Sequence, residues 1–118
     1  MNIAIDLKDD FETVEQGTHY ELPTYKVIDG VGIDKTGDSL PLKFVRGSKL
    51  KDEDVEKREG VLHETLLAAM IEDLKFKNSL VPSREGSLVI TKLEEAQQWL
   101  LKRQIDRVKR SVVGTYKK

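Results

Sequence analysis

The sequence predicts an α+β fold: a small N-terminal antiparallel β-sheet followed by a long C-terminal antiparallel two-helix hairpin. Three observations predict it. Leu62, Leu66, Met70 and Leu74, and later Val89, Leu93, Ala96 and Leu100, recur at helical spacing on one face of each arm. Asp29-Gly30 stands between TYKVI and VGI, a hairpin signal between β-branched and aromatic runs. Lys49 to Glu59 is nearly all charge and separates the two patterns. The 118 residues suit a single domain, with residues 1–48 β-rich, 49–59 a charged connector and 60–115 the hairpin.

Taken in order, Met1 to Leu7 alternates Ile3, Ile5 and Leu7 with Asn2, Ala4 and Asp6 and reads as a strand. Lys8 to His19 is polar, with Phe11 and Val14 as anchors, and reads as a loop or one helical turn. The Tyr20–Ile33 hairpin follows, then a loop at Lys35–Ser39. Leu40 to Arg46 alternates at Leu42, Phe44 and Arg46, with Pro41 near its start favouring an edge position. The connector reads as solvated chain or a frayed helical turn, and Gly60 precedes the first helix. That helix, VLHETLLAAMIEDLKFK, has Leu67 and Ile71 beside its main apolar face and ends at a short break, NSLVP. Ser83 is a candidate N-cap for the second helix, with Arg84 and Glu85 in its first turn. Gly86 sits just inside, where glycine costs about 1 kcal/mol against alanine and suggests a close approach or a tolerated weakness. From Ser83 to Val113 the second arm would run roughly 45 Å at 1.5 Å per residue. It therefore overhangs the first from about Leu101, leaving Leu101, Ile105, Val108 and Val112 to the N-terminal strands or to another subunit; homo-oligomerisation is the expectation.

Composition narrows the function classes. There is no cysteine, which excludes disulfides and thiolate–metal sites. Met1-Asn2-Ile3 begins nothing like a secretory signal, and no stretch approaches the roughly 20 apolar residues of a membrane span. A soluble intracellular protein is expected. Net charge is −1, unevenly spread: residues 1–60 hold 9 Lys/Arg and 14 Asp/Glu, a net of −5, whereas residues 61–118 hold 11 and 7, a net of +4. Lys102 to Lys118 has 7 bases and one acid, Asp106, and is a candidate anion-binding surface.

Arg103, Arg107 and Arg110 stand at i, i+4 and i+7, opposite the Leu101/Ile105/Val108/Val112 face. They form either a solvated basic face or a phosphate clamp, since guanidinium binds phosphate bidentately and stacks on bases. Phe76 either caps the hairpin core or offers a platform for a base. Ser83 and Arg84 lie at a helix start, which is either ordinary capping or an anion seat. Trp99 reads as core packing. His19 and His63 have no metal-ligand spacing, and HETLL lacks the second histidine of a zinc motif. No nucleophile–base arrangement, glycine-rich phosphate loop or paired-carboxylate site stands out, so no enzyme, cofactor or metal is expected.

At GVLHETLLAAMIEDL, SREGSLVITKLEEAQQWL and RQIDRVKRSVVGT the chain resembles a phage family of small nucleotide sponges that counter bacterial Thoeris and CBASS immunity and share a helical hairpin domain. The resemblance covers about half of the chain, Gly60 to Thr115, and the strand-like N-terminal part looks like the anti-Thoeris branch. It implies a protein that sequesters a cyclic ADP-ribose isomer or a cyclic oligonucleotide without cleaving it, in the cytoplasm of the infected host. It also implies a homo-oligomer, a dimer or a hexamer built as a trimer of dimers, with pockets between subunits. By the same resemblance Phe76 matches a ring stacked on the ligand's base, and Arg103 and Arg107 match arginines that grip phosphates or stack from the second helix. Arg84 matches a helix-start position near the pocket, and Gly114-Thr115 a turn closing over the ligand. Where ADP-ribose binders of the family have Asn, this chain has Gly86, so the resemblance leaves one hydrogen bond to the ligand, and with it the choice of ligand, open. The alternative function is a nucleic-acid-binding helical protein using the Arg103/Arg107/Arg110 face. A third reading is a purely structural assembly subunit.

Overall fold

The computed structural model of the chain describes residues 7, 9–47 and 57–111, with the backbone alone at 110 and 111. The strand expected at Met1–Leu7 lies, but for Leu7, outside the described residues, as do most of the charged connector and Val112, Gly114 and Thr115. The described residues fall into two compact units that change over between Gly60 and Val61. The expected α+β class is what is found, a three-stranded antiparallel sheet followed by two helices.

The sheet unit is a meander of β1 (Glu12–Glu15), β2 (His19–Ile28) and β3 (Gly32–Lys43), in the order β1-β2-β3. The Asp29-Gly30 signal holds: β2 and β3 flank it, with Ile28 opposite Gly32 and Val27 opposite Ile33. Two expectations need correction. Part of the polar Lys8–His19 stretch is strand rather than loop or helix, because β1 pairs Glu12 with Glu21 and Thr13 with Tyr20. A short edge strand of charged residues has little propensity of its own; its cross-strand partners supply the stabilisation. Nor does the Lys35–Ser39 loop interrupt β3. Lys35 pairs with Tyr25 and Ser39 with Pro23, so β3 bulges there by two residues and resumes. Gly37 takes φ +94° at the bulge, a conformation open to glycine. The Thr24 hydroxyl bonds the Thr36 hydroxyl at 2.5 Å and donates to the Asp38 carbonyl at 3.3 Å, closing the bulge.

Hydrogen bonds rather than an apolar core hold this unit. Among the described residues, Thr18 is its one buried side chain, at 2% exposure. The Thr18 hydroxyl donates to the Phe44 carbonyl at 2.8 Å while the Phe44 N–H donates to the Thr18 carbonyl at 2.7 Å. Tyr20 meets Phe11 and Phe44 edge-on, each with centroids 6.0 Å apart. At the end of the connector, Arg58 pairs with Arg46 as an isolated antiparallel bridge. Both guanidinium groups reach the Glu15 carboxylate at 3.2 Å.

The helical unit contains α1 (His63–Leu80) and α2 (Arg84–Ser111). At 1.5 Å per residue they are about 27 and 42 Å long. The break between them is shorter than NSLVP suggests. Asn78 to Leu80 remain helical, the Ser79 hydroxyl donates to the Phe76 carbonyl at 2.5 Å and the Val81 N–H to the Lys77 carbonyl at 3.1 Å. The interhelical seam is also rotated from the expected one. Glu64, Leu66, Leu67, Ile71, Leu74 and Asn78 are the covered residues of α1, so Leu66 and Leu74 of the expected face are covered while Leu62 and Met70 are exposed. On α2 the covered set is Gly86, Ile90, Leu93, Glu94, Gln97, Leu100, Gln104, Asp106 and Arg107, while Val89 and Ala96 are exposed. Both apolar registers exist in α1. Hydrogen bonds tie the two helices at both ends, from Asn78 to Ser87 and from Gln104 to Glu64. No helix among the described residues is long and apolar enough to cross a membrane.

Candidate functional site

At the turn, Ser83 caps α2 as its sequence predicts, its hydroxyl accepting the Gly86 N–H at 2.9 Å. Asn78, near the end of α1, reaches over the break. Its carbonyl oxygen accepts the Ser83 N–H at 3.1 Å and its amide donates to the Ser87 hydroxyl at 3.2 Å. Arg84 is the first residue of α2 and is exposed. Phe76 is 63% exposed and, five residues from buried Ile71, lies about 140° away from the seam at 3.6 residues per turn. It does not cap the hairpin core. Trp99 is 67% exposed on the outer side of α2, so it does not pack in the core either.

At the far end, the Gln104 amide donates to the Glu64 carboxylate at 2.9 Å. That bond, then the backbone N–H of Glu64 itself, then the charges of Arg103 and His63 hold the Glu64 carboxyl below its ordinary value, against a small desolvation. α1 therefore accompanies α2 as far as Gln104, not only to Leu101. Beyond it Ile105 and Val108 are 55% and 72% exposed, and Leu101 before it is 47% exposed. Arg103 is exposed and Arg107 half-buried beside the seam. Neither makes an ion pair within 4 Å among the described residues, whereas Lys102 is tied to Asp106 at 3.0 Å and Lys75 to Glu94 at 2.8 Å. Arg103 and Arg107 thus keep donors that Lys102, beside them, spends on Asp106.

The expected site residues divide into two groups. Phe76, Arg84 and Gly86 belong to the turn end, while Arg103 and Arg107 belong to the far end; Gly114 and Thr115 lie outside the described residues. Arg84 and Arg103, both on α2, are 19 residues apart, about 28 Å along the axis. A pocket the size of a small nucleotide cannot draw on both groups of one chain. Among the described residues no cluster of three or more His, Asp and Glu could hold a metal ion. Sequence reasoning missed Asn78 and Gln104. The cue for Asn78 was an amide at the end of a helix followed by Pro82-Ser83. For Gln104 it was the seven-residue spacing from Gln97.

A two-helix hairpin with an arginine face on its longer arm, preceded by a β-meander, is the class of protein these features define. The chain belongs to the family described as Acb2/Tad1, hairpin domain, which it matches over residues 45–104. It is 48% identical over 60 residues to a protein of Bacillus phage SBSphiJ7 named Thoeris anti-defense 1. That match takes in 50% of this chain and 42% of the relative, so it spans less than half of the relative's length. Phe76, Arg84, Gly86 and Arg103 fall inside the family's span; β1 to β3, Arg107, Gly114 and Thr115 fall outside it.

Proposed function

We propose that this protein counters Thoeris or CBASS defence in the cytoplasm of an infected bacterium by binding and sequestering a cyclic nucleotide signal, a cyclic ADP-ribose isomer or a cyclic oligonucleotide, without cleaving it. The observation that carries the reading is the pair Arg103 and Arg107, with no ion pair within 4 Å among the described residues, in a chain 48% identical over 60 residues to a relative named for Thoeris anti-defence. Charged hydrogen bonds from guanidinium suit a phosphate or diphosphate, and the exposed ring of Phe76 suits a base. Sequestration asks for stacking, phosphate donors and exclusion of water, and for no acid, base or nucleophile.

The split of the site residues between the ends of the hairpin supports a pocket shared between copies. A two-fold dimer with antiparallel hairpins would bring Phe76 and Arg84 of one copy to Arg103 and Arg107 of the other, twice. The exposed Leu101, Ile105 and Val108 stripe supplies apolar area for that association. Gly114 and Thr115 are assigned to the rim of the same pocket, and a trimer of such dimers is the larger assembly.

Titration calorimetry against cyclic ADP-ribose isomers, cyclic di- and trinucleotides and duplex DNA tests this. Saturable binding of a cyclic nucleotide, recovered intact after denaturation of the complex, is expected. Recovery of a cleaved product would make the protein an enzyme. Binding of DNA alone, with a steep salt dependence, would make the arginine face a nucleic-acid surface.

A further inference from the structure

The start of α2 is built around an absence of side chain. A Cβ placed on Gly86 would stand 2.5 Å from the Asn78 carboxamide oxygen, 2.9 Å from the Ser83 hydroxyl and 3.2 Å from Asn78 Cγ. The volume that a side chain at position 86 would enter is thus filled from the opposite helix by the carboxamide of Asn78. That carboxamide is not idle there. It holds the Ser83 N–H and the Ser87 hydroxyl, the residues on either side of Arg84 and Gly86. Ser83 in turn holds the Gly86 N–H, and the Ser87 carbonyl accepts the Thr91 hydroxyl at 3.1 Å, so the first turns of α2 form one bonded set anchored on α1.

We propose that Asn78 and Gly86 are a reciprocal pair: one carboxamide fits across the turn, from either helix but not from both, and it positions the first turn of α2, with Arg84, for the ligand. Asn78 is accordingly a positioning residue, its carboxamide filling the space beside Gly86 while it holds Ser83 and Ser87. The role toward ligand rests on the function proposed above; the steric exclusion between the two positions does not.

The pair is open to a double-mutant cycle. Gly86→Asn forces the Asn78 carboxamide off Ser83 and Ser87 and should lower the melting temperature. Asn78→Ala removes the same bonds and should also lower it. The double variant Asn78→Ala/Gly86→Asn empties the space and refills it from the other helix, so it should melt above the sum of the two losses. A strictly additive double variant, or a Gly86→Asn variant that melts like the parent, would overturn the reciprocal pair. The second readout is affinity for a cyclic ADP-ribose isomer and for a cyclic dinucleotide, taken well below the melting temperature of every variant. Asn78→Ala should lose about tenfold and the double variant should regain most of it. Unchanged affinity in fully folded Asn78→Ala would overturn the positioning role. If the parent protein binds neither probe, the proposed function fails, and the melting cycle still decides the pair.

Discussion

The two units of this chain are held together by different means. In the sheet, β2 is paired on both sides, yet Thr18 is the one buried side chain among the described residues, and Val14, Val27, Val31 and Leu40 face solvent. Its cohesion comes from the ladder, the Thr18–Phe44 exchange, the bulge at Gly37 and a carboxylate shared by two arginines. The hairpin has a true if narrow seam, centred on Ile71 and Ile90, closed at one end by Asn78 and at the other by Glu64 and Gln104. The hairpin can therefore spare its outer faces for other work. Phe76, Trp99, Arg103 and the Leu101/Ile105/Val108 stripe contribute little to that seam.

The largest expected effect breaks the hairpin at its seam. Ile71→Ala should destabilise that unit by about 2–4 kcal/mol through lost burial and an unfilled space, read as loss of helical circular dichroism at lower urea. Val27→Ala, in the sheet, should stay within about 0.5 kcal/mol of the parent. Next comes the spared face: Arg107→Ala should weaken nucleotide binding by about 1–3 kcal/mol with helicity unchanged, as for a charged hydrogen bond. Unchanged affinity would remove Arg107 from the site. The third is the sheet's own centre. Thr18→Val should cost about 1 kcal/mol by removing the hydroxyl that serves the Phe44 carbonyl, and amide exchange should quicken in β2 and β3 but not in α1.

The smallest effect is in pH. Asp10, held first by Lys35 and then by Tyr25, and Glu21, held first by Ser39 and then by His19, have carboxyls below their ordinary values, as does Glu64 in the hairpin. A carboxyl depressed in the folded state contributes stability above its unfolded value and loses it as pH falls through the folded one. Both units should therefore melt lower as pH drops below the ordinary carboxylate range. Glu64→Gln should flatten that slope for the hairpin alone, as tracked by helical signal.

Much of this was legible in the residues. Helical spacing revealed two arms, Asp29-Gly30 the β2–β3 turn, and Ser83 the start of α2, because each signal is local. The errors were not local. Of the Leu62, Leu66, Met70 and Leu74 stripe, Leu66 and Leu74 are covered together with Leu67 and Ile71 beside them, while Leu62 and Met70 are exposed, a choice that depends on the partner helix rather than on spacing. β1 and the bulge at Lys35–Ser39 depend on partners in β2 that no short window contains. Phe76 and Trp99 were weighed as core because large aromatic residues usually are; their exposure follows from the rotation of the seam. The arginine pair was visible as a pattern, but that neither makes an ion pair within 4 Å among the described residues became visible only in the folded chain.

The central claim is that no single chain carries the whole nucleotide pocket, and subunit mixing tests it most directly. At a nucleotide concentration that fills the parent's sites, Phe76→Ala and Arg107→Ala should each leave the homo-oligomer largely unfilled, each being weakened by about 1–3 kcal/mol. Mixed one to one, unfolded and refolded together, they should recover about a quarter of the parent's sites, because half of the dimers would be mixed and each would hold one intact pocket. Native mass spectrometry should find the nucleotide only on mixed species. A mixture as inactive as either variant alone, beside a parent that binds, would place the ring and the guanidinium in the same chain's pocket and contradict the account.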